Sequence, residues 1–80
     1  MEQNKEVTMI KERRQYYIDK EFNKETNRMG YTIISRHESG LEFQLTKVFD
    51  TLEEANTELQ RCIELRKNMF DIEVVDLMIM

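Results

Sequence analysis

Gln15-Tyr16-Tyr17-Ile18-Asp19-Lys20-Glu21-Phe22, followed by Asn23-Lys24-Glu25-Thr26-Asn27, decides the fold. The first stretch opens with aromatic and β-branched side chains, which suit a pleated, half-buried strand. The second has the chemistry of a tight loop. Asn23 can bond its own backbone, and Asn27 tolerates positive φ. The competing reading is a helix over about residues 5–28, because Val7, Ile10, Arg14, Ile18 and Phe22 fall at helical spacing and Gly30 could cap it. The turn chemistry favours the strand. Residues 1–14 admit two readings, a flexible arm or an edge strand.

Working outward, residues 28–36 read as a second strand centred on Tyr31-Thr32-Ile33-Ile34. His37-Glu38-Ser39-Gly40 is a second turn, with Gly40 free to take a left-handed conformation. Leu41-Glu42-Phe43-Gln44-Leu45-Thr46 alternates apolar and polar, which predicts a third strand over about residues 41–49 with Leu41, Phe43 and Leu45 facing in. A helix follows over about residues 51–68. Asp50 or Thr51 caps it, and Glu53 or Glu54 completes a capping box. Early acids and late Arg61, Arg66 and Lys67 suit the helix dipole. Leu52, Ala55, Leu59, Cys62 and Ile63 form its apolar stripe. Residues 71–79 read as a last strand. The expected fold is α+β: an antiparallel meander plus a C-terminal strand, with one helix making a second layer.

A helix of about 17 residues is about 25 Å long and covers one face of such a sheet. Val75, Leu77 and Ile79 then point to the uncovered face if Val74, Met78 and Met80 point to the helix, and Tyr17 and Ile34 join them. An apolar sheet face of this kind marks an interface. Val75, Leu77, Met78, Ile79 and Met80 are the expected contacts with a second copy or a larger protein. In the competing arrangement, residues 1–14 fold back over that face.

The chain's 80 residues make one domain, expected to span residues 1–80, with a thin core. Cys62 is the only cysteine, so no internal disulfide supports it. A lone thiol, polar residues from Met1 to Lys5 and no long apolar run predict a cytoplasmic protein with no signal peptide and no membrane contact. The net charge of −4 is uneven. Residues 11–47 hold eight Lys/Arg against six Asp/Glu, and residues 48–80 three against eight.

Chemistry is scarce. Cys62 lies on the apolar helix stripe, where a thiol stays protonated. His37, the one histidine, sits in a turn. No metal-ligand spacing and no phosphate-cradling glycine loop is present, so no cofactor and no enzymatic activity are expected. The acids Asp50, Glu53, Glu54, Glu58, Glu73 and Asp76 form the expected acidic contact for a basic groove. Arg13, Arg14, Lys20, Arg28, Arg36 and Lys47, interleaved with tyrosines, form the alternative nucleic-acid face.

A three-stranded sheet running into Phe49-x-Thr51-x-Glu53-Glu54-Ala55 resembles the arm-binding domain of phage integrases over residues 15–66. That family lays its sheet in a DNA groove, and the acids among these bases depart from it. In size, charge content and lack of proline the chain is also similar to small phage and mobile-element accessory proteins, among them anti-CRISPR inhibitors. That resemblance implies a non-enzymatic domain that binds and occludes a larger, nucleic-acid-handling host protein.

Overall fold

The structure, a computed structural model, describes residues 11–75. Four strands and one helix follow in the order β1 (Glu12–Asn23), β2 (Arg28–His37), β3 (Glu42–Gln44), α1 (Leu52–Arg66) and β4 (Phe70–Val74). The class is α+β, as expected, and the sheet order is β3-β2-β1-β4.

The β1–β2 hairpin runs from Arg14↔His37 to Asn23↔Arg28. Its turn uses the two asparagines. Asn23 Oδ1 accepts the Glu25 N–H at 2.9 Å. Asn27 has φ 59° and donates its N–H to Asn23 O at 2.8 Å. The long N-terminal helix is thereby overturned over the described residues. Arg14, Ile18 and Phe22 are spaced by four, which is close to one helical turn but is also two full strand repeats.

The third strand is shorter than expected. Leu45 N–H still donates to Ile33 O at 2.8 Å, but the next backbone pair is Tyr31↔Phe49, two residues late. Residues 46–48 form a bulge, and Thr46 fills the gap in the ladder. Its Oγ1 accepts the Ile33 N–H at 3.3 Å, and Thr32 Oγ1 donates to Thr46 O at 3.0 Å. Gly30 makes room for this crossing. A Cβ there would lie 2.6 Å from Val48 Cγ1 and press on the Phe49 carbonyl.

The capping choice resolves to Thr51 with Glu54. Thr51 Oγ1 accepts the Glu54 N–H at 3.1 Å, and the Glu54 carboxylate accepts the Thr51 N–H at 3.2 Å. At the other end Lys11 Nζ donates to Lys67 O at 3.1 Å. Residues 70–74 then run beside β1 in parallel, from Glu12↔Phe70 to Tyr16↔Val74. The sheet is therefore mixed rather than wholly antiparallel.

The core is one layer between helix and sheet. Tyr16, Ile18, Ile33, Ala55, Leu59 and Cys62 are buried, with Tyr31, Leu45, Phe49, Ile63 and Ile72 packed around them. Three expected inward residues are not in it. Leu41 is 61% exposed, Phe43 53% and Leu52 42%. Phe43 sits on the edge strand and Leu41 just before it, outside the cover of α1, which packs over β1 and β2; Leu52 is in the first turn of α1.

Gly30→Ala should destabilise the fold by about 1–3 kcal/mol, because backbone and a branched side chain must both shift. Thr51→Ala should cost about 1 kcal/mol through loss of the cap. Urea denaturation midpoints check both.

Candidate functional site

Strand alternation divides the side chains of the sheet between two sides. Tyr16, Ile18 and Ile33 face α1, so their neighbours Gln15, Tyr17, Ile34 and Arg36 face the other way. No other described element lies across that open side. One row crosses all four strands: Glu73 beside Gln15, Gln15 beside Arg36, Arg36 beside Glu42. Asp71 and Arg13 are neighbours in the adjoining row.

Over the described residues the open side is polar; Leu77 and Ile79, which were expected to make it apolar, lie outside them. Tyr17 and Ile34 do share the open side, as register partners. Yet Tyr17 is only 6% exposed. Its hydroxyl donates to Glu42 Oε2 at 2.7 Å. Arg36 donates to the same oxygen from Nε at 2.9 Å and Nη2 at 2.7 Å. The guanidinium also stands 5.5 Å from the Tyr17 ring centre. The Tyr17 hydroxyl and then Arg36 hold the Glu42 carboxyl below its ordinary range. Burial, then the bond to Glu42, pushes the Tyr17 phenol up. At one end of this side a cleft of about 770 Å³ opens between Arg13, Gln15, Arg36, His37, Asp71 and Glu73.

The expected C-terminal contacts fall partly outside the described residues. Asp76, Leu77, Met78, Ile79 and Met80 lie beyond them. Val74 is level with Tyr16 and takes the helix side, and Val75 N–H donates to Tyr16 O at 2.9 Å.

The acidic set is not brought together. Asp50, Glu53, Glu54 and Glu58 lie at or on α1, while Glu73 is on the open side beside Gln15. Asp50 is 3.5 Å from Arg28, Glu54 closes the capping box, and Glu58 pairs with Arg61. The basic set is divided too. Arg13 and Arg36 are on the open side, whereas Arg14 and Lys20 alternate to the helix side. Arg14 stacks 4.2 Å from the Phe70 ring centre and pairs with Glu12 at 2.8 Å. Lys47 sits in the bulge, 5.5 Å from the Phe49 ring centre.

Cys62 is buried under the helix, and burial, then Glu58, pushes its thiol up. His37 Nδ1 accepts the Ser39 N–H at 3.1 Å. Among the described residues no group of three or more His, Cys, Asp and Glu is placed to hold a metal ion, and no helix is long and apolar enough to cross a membrane. Comparison with protein-family models, curated proteins and solved structures finds no match to this chain.

Sequence reading missed the Tyr17–Glu42–Arg36 group. Its only local sign is Glu42, the charged residue within the alternation of residues 41–46.

Because the folded Glu42 carboxyl titrates below its ordinary value of 4.5, the group stabilises the fold above that pH. The contribution is lost as pH falls through the lower folded-state value. Glu42→Gln should be less stable than the parent at pH 7, and the gap should narrow as pH falls below 4.5, read from urea midpoints across that range.

Proposed function

We propose that this chain is a non-enzymatic protein-interaction domain that acts by occupying the surface of a larger protein. The observation that carries the reading is the row Glu73–Gln15–Arg36–Glu42 across the open side. It offers both signs of charge in fixed positions, with Tyr17 and Arg36 already ordered by Glu42. Arg is among the side chains that most often anchor protein interfaces. Groups held in place before binding lose little entropy on association.

The partner surface that fits is one of mixed charge, since Asp71, Glu73 and Glu42 flank Arg13 and Arg36. In the narrower form of this reading the partner is a nucleic-acid-handling protein and binding blocks it, as the resemblance to anti-CRISPR inhibitors implies. The reading puts the domain in the cytoplasm, which a single buried and protonated thiol supports.

The test is capture of partners from nuclease-treated host lysate by the immobilised protein, compared with two variants. Arg13→Glu changes the open side, and Glu64→Lys changes the exposed surface of α1. A stoichiometric protein should bind the parent and Glu64→Lys but bind Arg13→Glu at least about tenfold more weakly. The narrower form requires that this protein act on nucleic acid and be inhibited at equal molarity. Capture that is unaffected by Arg13→Glu would exclude the open side. Recovery of nucleic acid alone when nuclease is omitted would exclude a protein partner.

A further inference from the structure

The edge strand β3 contains an unresolved contradiction. Leu41, Phe43 and Leu45 alternate with polar residues as a buried strand does, yet Leu41 and Phe43 are more than half exposed. All three point to the helix side, level with His37, Ser35 and Ile33. They form an apolar strip at the rim of the core with Leu45 alone packed into it.

The backbone of the same edge has a defined polarity. His37 N–H donates to Leu41 O at 2.8 Å, and Leu45 N–H to Ile33 O at 2.8 Å. In an antiparallel ladder the alternate residues Glu42 and Gln44 therefore aim their N–H and C=O groups away from β2, toward the open edge. No described strand lies beyond β3.

We propose that a second copy of this chain covers this edge, β3 pairing antiparallel with β3 about a two-fold axis at Phe43. That register sets Phe43 against Phe43, Leu41 against Leu45 of the second copy, and Glu42 against its Gln44. Phe43 occupies the close, non-hydrogen-bonded position, where facing Cα atoms are about 4.5 Å apart and aromatic pairs gain most. Glu42 and Gln44 exchange four backbone hydrogen bonds, and their side chains place an acceptor opposite a donor. No like charges meet. The axis stands perpendicular to the sheet, so both helices stay on one side and the two apolar strips join between them. The bulge at residues 46–48 stops the pairing after Leu45, so the contact is short and its affinity is in the micromolar range (about 1–100 μM).

On the opposite edge three registers of β4 carry like-charge pairs. A two-fold axis at Ile72 of β4 sets Asp71 against Glu73, and an axis at either acid sets that acid against itself. This inference stands apart from the open-side reading, because it uses the sheet edge and the helix side.

Sedimentation and a cross-link test it. The full chain should dimerise at about 100 μM, and Phe43→Lys should weaken that at least about 100-fold while leaving the circular dichroism and melting temperature nearly unchanged. Phe43→Cys should form an intermolecular disulfide under mild oxidation, since facing residues at this position satisfy disulfide geometry. Asp71→Cys, on the other edge, is the control. A parent chain that stays monomeric at about 100 μM overturns the proposal. So does a dimer that Phe43→Lys leaves intact, or cross-linking of Phe43→Cys no faster than of Asp71→Cys. A parent chain that dimerises but captures no lysate protein would count against the open-side reading alone.

Discussion

The backbone pair between Tyr31 and Phe49 is the constraint on which the rest of the structure depends. Two bonds make it, Tyr31 N–H to Phe49 O at 2.8 Å and Phe49 N–H to Tyr31 O at 2.6 Å. The chain reaches it only after leaving the β3 ladder and returning two residues late. The capping Thr51 follows two residues on, so this pair sets where α1 begins. From there α1 crosses β2 and β1, and its end delivers β4 to the far side of β1. The crossing needs a residue without a Cβ beneath it, which is Gly30.

The two sides of the sheet are built on different physics. The helix side is held by burial of aliphatic and aromatic groups, with Tyr16 and Ile33 almost wholly removed from water. The open side is held by directional bonds among charged groups that remain near water. Its one large aromatic, Tyr17, is shielded by its own neighbours rather than by a second layer. Among the described residues this helix-free face therefore carries no broad apolar patch. On the sheet rims Leu41 and Phe43 are exposed at one edge and Val74 at the other.

The parts of the fold that were legible in the sequence are those decided within a few residues. Asn23 and Asn27 specify their turn by local bonds, and Thr51 with Glu54 specifies the helix start. The alternation of residues 41–46 was legible as a strand, but its length was not. The ladder ends because a side chain, Thr46 Oγ1, replaces a backbone acceptor, and no composition rule anticipates that. Leu41 and Phe43 looked inward by period alone, whereas burial depends on where a helix lies across the sheet. The parallel placement of β4 beside β1 is a long-range choice. The Tyr17–Glu42–Arg36 group joins residues 25 and 6 apart, so it became visible only once the strands were in register.

The placement of β4 also sets an order of events. The β1–β2 hairpin closes locally through the turn at Asn23 and Asn27. The β1–β4 pairing joins residues 58 apart, as Gln15 and Glu73 are. Closing the longer loop costs more chain entropy, and its contacts come only after that cost is met. During synthesis the hairpin can therefore assemble while one side of β1 is still bare. That side stays bare until residues 70–74 have left the ribosome. The first of the described strands to be made is the last to be paired on both sides.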